Sequence, residues 1–362
     1  MFNCDKNLRK FHNENVSLTN DQRSEMRYRR DANRNRLKNG LDVPIEEHQS
    51  QGSYAMHTMV HDSNNDYDID DGVIFFQEDL KGSNGTNKPA LDARKMVKNA
   101  VDDNSFKKSP EVRKNCVRVY YDKGYHVDIP VYRKLYDDTL ELASSDWKES
   151  DPCAVTNWFN DEVKKQSPDS ENGRQLRRIV KLIKSYKNSR DSWKSQMASG
   201  FVISALVVEC YVSDDRDDIS FYKTIRAIHN RLQYDLEVDH PVLDEKLTNG
   251  YDDAKTKFLR NKLSQALQNL EILLECNCCK QKAFNAWYKV FQHQYWKNLE
   301  ENCTGNNSSQ ETSDNLAKGL GIAAGLAATA GVLYAASKKK QDEEIENYPQ
   351  IPSTKATKPW AK

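Results

Sequence analysis

The stretch DYDIDDGVIFF, residues 66–76, sets an acidic head on an apolar tail. Asp66, Asp68, Asp70 and Asp71 fall within six residues, and Val73 to Phe76 then read as a buried strand because β-branched and aromatic side chains suit a pleated surface. In an extended chain alternate side chains share a face, so Asp66, Asp68 and Asp70 project one way and Tyr67, Ile69 and Asp71 the other. Carboxylates held side by side repel each other unless a cation sits between them, and a hard ion such as Mg²⁺ prefers this ligand type. The chain must therefore build a sheet that carries a cation-demanding cluster on one strand.

A third acid interrupts another apolar alternation, Val127-Asp128-Ile129-Pro130-Val131. Taken alone, Asp128 reads as a residue on a solvated face. On a strand beside Asp68 and Asp70 it completes a three-carboxylate set for two divalent ions about 3.5–4 Å apart. Upstream, Gly52-Ser53 offers a turn without side-chain bulk at the start of a helix, YAMHTMV, where backbone N–H groups and a hydroxyl can hold phosphate oxygens. His57 and His61 fall on the polar side of that helix and read as exposed residues. The order Gly-Ser, short helix, Asp-x-Asp and a later strand Asp describes nucleotidyl transfer, in which metal ions activate a hydroxyl and stabilise a pyrophosphate leaving group.

Around this segment the first half mixes helix and strand. LTNDQRSEMRYRRDANRNRLK (18–38) has a Thr/Asn/Asp start signal and stops at Gly40; its Arg27, Arg29, Arg30, Arg34 and Arg36 form either a solvated face or a stripe for phosphates and a nucleic-acid regulator. LDARKMVKNAVDD (91–103) has helical periodicity, and VRVYY and YHVDIPVY alternate as strands about an Asp122-Lys123-Gly124 turn. From about residue 171 apolar residues recur at three and four, which predicts an all-helical second half.

The boundaries read as a core with an N-terminal helix over 1–165, a helical lobe over 166–300, a linker over 301–318, a Gly/Ala-rich apolar segment over 319–337 and a polar tail over 338–362. The nineteen uncharged residues of 319–337 just reach the length of a membrane span, but Lys338 to Lys340 sit on the unfavoured side. Membrane association through this segment stands beside a disordered or partner-docked tail.

At 362 residues the chain can bury a large core, and 54 basic against 54 acidic side chains leave no global attraction to nucleic acid or anionic membrane. Its eight cysteines lack disulfide-framework spacing and no secretory leader is evident, so a reducing cytoplasm is the expected location. Cys276, Cys278 and Cys279 could bind zinc with His240 or His293 but lack the paired spacing of structural sites, and plain thiols are the leading reading.

Gln51-Gly-Ser-Tyr54, Asp66-Tyr-Asp-Ile-Asp-Asp-Gly72 and His126-Val-Asp-Ile-Pro130 resemble the bacterial CD-NTases, cyclic-oligonucleotide synthases related to animal cyclic GMP-AMP synthase, most closely the DncV-like branch. The resemblance spans roughly residues 1–300 and is strongest over 51–132. It implies an α+β protein: a polymerase-β-like nucleotidyltransferase core, a mixed sheet with flanking helices, packed on an all-helical C-terminal lobe. It further implies that Asp68, Asp70 and Asp128 bind two Mg²⁺ ions, with Mn²⁺ as a substitute. Gln51, Gly52, Ser53, Tyr54, Arg118, Lys184 and Ser199 match the family's nucleotide contacts, Lys184 and Ser199 holding donor phosphates. The substrates it implies are NTPs, ATP and GTP favoured and pyrimidine NTPs open. The product would be a cyclic nucleotide messenger for antiphage (CBASS) signalling through a separate effector, with nucleic-acid activation open. Two alternatives stand beside it: a linear oligonucleotide synthase or transferase acting on RNA or protein, and a non-catalytic membrane-linked defence scaffold.

Overall fold

The computed structural model describes residues 1–61, 67–82, 84–121 and 124–305. Asp66, the turn residues Asp122 and Lys123, the segment 319–337 and the tail 338–362 lie outside them. The elements are α1 (Asp5–Phe11), α2 (Asn20–Gly40), β1 (Glu47–Gln51), α3 (Gly52–Ala55), β2 (Tyr67–Phe76), α4 (Ala90–Val101), β3 (Glu111–Val112), β4 (Val117–Tyr120), β5 (Tyr125–Ile129), β6 (Val131–Lys134), β7 (Leu140–Ala143), β8 (Trp147–Glu149), α5 (Pro152–Gln166), α6 (Gln175–Asn188), α7 (Gly200–Cys210), α8 (Asp217–Tyr234), α9 (Ala254–Leu270), α10 (Lys280–Phe291) and α11 (Gln294–Gly305). They form a mixed-sheet unit, Ser17–Glu162 with Asp239–Glu245, and a helical unit, Met1–Val16, Val163–Val238 and the described chain from Lys246 on. A mixed sheet with flanking helices and a helical C-terminal region is the expected fold class.

In the sheet unit the strands run β3-β4-β5-β2-β6-β7-β8, with β1 also paired to β2. β2 pairs in parallel with both β5 and β6, whereas β1–β2 and β4–β5 are antiparallel. The stretch YHVDIPVY is thus two strands: Pro130 has no N–H to give, and its carbonyl instead accepts from Val73. Ile69, Val73 and Phe75 from β2, Val127 and Ile129 from β5 and Ala93, Val97 and Val101 from α4 are buried in one core. Alternation along β2 thereby fixes which face the remaining acids take.

α2 begins at a reciprocal cap: Thr19 Oγ1 accepts from the Gln22 amide at 3.2 Å, and Gln22 Oε1 accepts from the Thr19 amide at 2.9 Å. Met26 and Leu37 bury its apolar stripe. Four of the five arginines read as a stripe are engaged in ion pairs: Arg29 with Glu25, Arg30 with Asp31, Arg34 with Asp71 and Arg36 with Asp103, while Arg27 is exposed. These pairs favour the structural reading of that helix over a track for phosphates.

In the helical unit α7 is buried nearly all round, from Val202 to Val208. The region QKAFNAWYKVFQHQYW is two helices, α10 and α11, because Gln292 adopts a left-handed conformation, φ 48°, and ends the first. Their return lets Trp287 and Trp296 stack, ring centroids 5.6 Å apart, with Phe11 tilted against Trp296 at 5.5 Å. α11 runs to Gly305, into the segment read as linker. Arg178 is fully buried, and Asp217 and Asp169 accept from it at 2.7 Å and 2.6 Å, a pairing that satisfies a charge otherwise costly to bury. Among the described residues no helix is long and apolar enough to cross a membrane.

Candidate active site

The parallel pairing of β2 with β5 sets Asp70 opposite Asp128, and Asp68 opposite His126. Paired residues on neighbouring strands lie about 5 Å apart, so the strand alternation that buries Ile69 and Val127 gathers Asp68, Asp70 and Asp128 on one patch. Asp68 is well exposed and Asp128 buried. Burial raises the Asp70 carboxyl to about pKa 7, helped by the neighbouring charges of Asp128 and Asp68 and opposed by Arg118.

Arg118, on β4 directly across from Asp128, answers part of that charge. Its Nε and Nη2 donate to the two oxygens of Asp128, each at 2.7 Å, and Nη2 lies 3.6 Å from Asp68 Oδ2. A bidentate fork of this kind is among the strongest charged contacts a protein makes. The other oxygen of Asp68 meets His126 Nδ1 at 3.1 Å. Arg118, an expected nucleotide contact, therefore sits on the acids themselves.

Three carboxylates, one with its proton affinity raised by burial and then by the other two, suit a hard divalent ion, whose charge would relieve the repulsion Arg118 now offsets. Among the described residues the side chains do not form a finished ligand set, and Arg118 engages both oxygens of Asp128.

The Gly-Ser turn arrives at the same place. Gln51 pairs with Asp70 across β1–β2, and Gly52 follows at φ 64°. A Cβ on Gly52 would stand 2.2 Å from Asp70 Oδ2, so both the backbone conformation and the contact call for glycine. The helix expected over YAMHTMV is a single turn, α3, which Gly52 and Ser53 themselves begin. His57 lies beyond it in the left-handed region, φ 53°, and is half-buried, while His61 is exposed with its ring 3.4 Å from Gln22 Nε2. One turn contributes little dipole, so any anion contact rests on the Gly52-Ser53 backbone and the Ser53 hydroxyl.

The opposite face of β2 holds a contact the sequence did not reveal. Asp71, 4% exposed, accepts from Arg34 Nε at 2.7 Å and from Ser50 Oγ at 2.7 Å. The signal was an acid on the apolar face, which requires a cation somewhere in the fold. Tyr54, which follows Ser53 in α3, has Arg30 over its ring at 5.9 Å.

Within the helical unit, Lys184 of α6 and Ser199 come together. Ser199 caps α7, its hydroxyl accepting from the Val202 amide at 3.1 Å. A Cβ on the adjoining Gly200 would lie 3.4 Å from Lys184 Cε. Lys184 is buried, and burial, with Lys187 nearby, lowers its ammonium to about pKa 7. The three cysteines of 276–279 form no metal-ligand group among the described residues.

Residues 46–132 match the family model of the nucleotidyltransferase domain of DncV-like cyclic GMP-AMP synthases. A cyclic GMP-AMP synthase of Escherichia albertii is 26% identical over 283 residues, which cover 75% of this chain and 60% of that protein's length. The fold resembles that of Vibrio cholerae DncV cyclic AMP-GMP synthase, solved with the linear intermediate 5′ pppA(3′,5′)pG, at TM-score 0.63 and 16% identity over 77% of this chain and 92% of that one. It also resembles the Bradyrhizobium diazoefficiens CD-NTase CdnG, solved with GTP, at TM-score 0.64 and 14% identity over 80% and 95%. The resemblance read from the three motifs holds.

Proposed function

We propose that this chain, which carries a DncV-like nucleotidyltransferase domain, condenses NTPs into a cyclic di- or oligonucleotide messenger with release of pyrophosphate, in antiphage signalling of the CBASS kind. The observation that carries the reading is the register of Asp70 on Asp128, with Asp68 two residues away and Gly52 packed against Asp70. Arg118 answers Asp128 and part of Asp68, and Asp70 between them keeps a raised proton affinity that a bound cation would relieve.

In this reading a ribose hydroxyl of one nucleotide gives up its proton to a carboxylate of the cluster, and its oxygen bonds to the α-phosphorus of another nucleotide. The bond from that phosphorus to the bridging oxygen breaks, and pyrophosphate leaves with the electron pair. Asp68, Asp70 and Asp128 would hold two Mg²⁺ ions, which supply a lowered hydroxyl pKa and neutralisation of phosphate charge. Arg118, beside the acids, would meet a phosphate oxygen. Gln51, Gly52, Ser53 and Tyr54 bind and orient the triphosphate, and Lys184 with Ser199 holds donor phosphates. ATP and GTP are the favoured substrates, since relatives of this fold were solved with GTP and with a linear pppApG intermediate.

The test is incubation of the purified protein with each labelled NTP, and with all four, in Mg²⁺ or Mn²⁺. A product that resists phosphatase and has the mass of a cyclic dinucleotide or larger ring supports the reading. Only linear products bearing a terminal phosphate, or a labelled macromolecule, would overturn the cyclic assignment.

A further inference from the structure

The loop that begins at Gln51 is held by a side chain with no motif of its own. Tyr132, on β6 and 1% exposed, donates its hydroxyl hydrogen to Gln51 Oε1 at 3.0 Å. Gly72 of β2 makes room for the pair: a Cβ there would lie 2.9 Å from Tyr132 Cε2 and 3.1 Å from Gln51 Oε1. Three strands thus contribute to one contact, the glycine from β2, the phenol from β6 and the amide from the end of β1.

The chemistry of the contact is directional. A primary amide has one oxygen acceptor and two N–H donors, and a buried phenol O–H needs an acceptor. With its oxygen engaged by Tyr132, Gln51 has donors to offer a ligand. Donors suit a phosphate oxygen, and Gln51 stands one residue before Gly52 and across from Asp70. A freely rotating glutamine would present its oxygen as often as its nitrogen and would lose rotamer entropy on binding.

We propose that Tyr132 is a positioning residue that fixes the Gln51 amide with its NH₂ directed to a phosphate oxygen of bound NTP. This rests on the nucleotidyltransferase reading above and adds to it a residue acting only through Gln51. The role differs from general support of the sheet, because it vanishes once Gln51 is removed.

The experiment is a double-mutant cycle on the full chain with Tyr132→Phe, Gln51→Ala and the pair, reading the Kd of nonhydrolysable ATP and GTP analogues in Mg²⁺ by calorimetry. Tyr132→Phe should weaken binding about tenfold in the wild-type background and leave it unchanged in the Gln51→Ala background. An unaltered Kd in Tyr132→Phe, or an equal loss in both backgrounds, overturns the positioning role alone. A wild-type protein that binds neither analogue overturns the nucleotide-site reading and the positioning role together. Should Tyr132→Phe fail to fold, Gln51→Glu decides, since it keeps an acceptor for the phenol and replaces the donors. Loss of affinity beyond tenfold at unchanged Tm is expected, and retained affinity refutes the proposal.

Discussion

Replacing Lys184 with Met should stabilise this protein while damaging it. Lys184 is 6% exposed, and burial lowers its ammonium from 10.5 to about 7. The sign follows from proton counts. Below pH 7 folded and unfolded chains both carry the proton, and the folded one bears the full penalty of a buried charge. Between 7 and 10.5 the unfolded chain binds more protons, so stability rises with pH across that window. At 1.36 kcal/mol per pH unit the penalty is roughly 5 kcal/mol at pH 6 and roughly 2 kcal/mol at pH 9, with structural relaxation reducing both. Methionine keeps most of the apolar stem and removes the charge. Urea unfolding at the two pH values should show Lys184→Met more stable than wild type at pH 6, by an amount that falls by more than half at pH 9. A triphosphate should raise the lysine's proton affinity, so wild type should take up protons on binding NTP near pH 8, and the variant should take up fewer. Equal stability of the two proteins at pH 6, or a gap independent of pH, would refute the reasoning.

Two further substitutions probe other parts of the molecule. Gly52→Ala places a methyl 2.2 Å from Asp70 Oδ2 in a left-handed conformation; it should reduce nucleotidyl transfer at least a hundredfold and lower stability by about 1–3 kcal/mol, checked by turnover and thermal unfolding. Asp217→Ala removes one of the two carboxylates that hold the fully buried Arg178, Asp169 remaining, and should destabilise the chain by about 1.5–3 kcal/mol in denaturant titration, whereas a change under 1 kcal/mol would contradict the buried pairing.

Much of the site was legible because its chemistry is local. Asp68 and Asp70 share a face by alternation, and Asp128 stands out as an acid inside an apolar strand. The Gly52-Ser53 turn gained its meaning from the order of these elements along the chain. The parallel register that sets Asp70 against Asp128 needed the fold, since periodicity fixes faces but not partners. The length of α3 was misjudged because YAMHTMV has helical composition, while the chain leaves the helix at His57 with φ 53°. Arg34 finds Asp71 thirty-seven residues away, and Tyr132 finds Gln51 eighty-one residues away. Neither separation leaves a trace in local pattern. Arg34 and Arg36 of α2 give no local sign of being paired, because their partners, Asp71 and Asp103, lie outside the helix. The break between α10 and α11 rests on a left-handed glutamine, a residue type that gives no warning of it.

The claim on which the function turns is that three acids from β2 and β5 act together on a triphosphate. Pyrophosphate release from ATP and GTP in Mg²⁺, compared between wild type and Asp70→Asn, tests it most directly. The acids acting as one centre predicts at least a thousandfold loss in the variant, with a Tm no lower than that of the metal-free wild type. Turnover by Asp70→Asn within tenfold of wild type would contradict it.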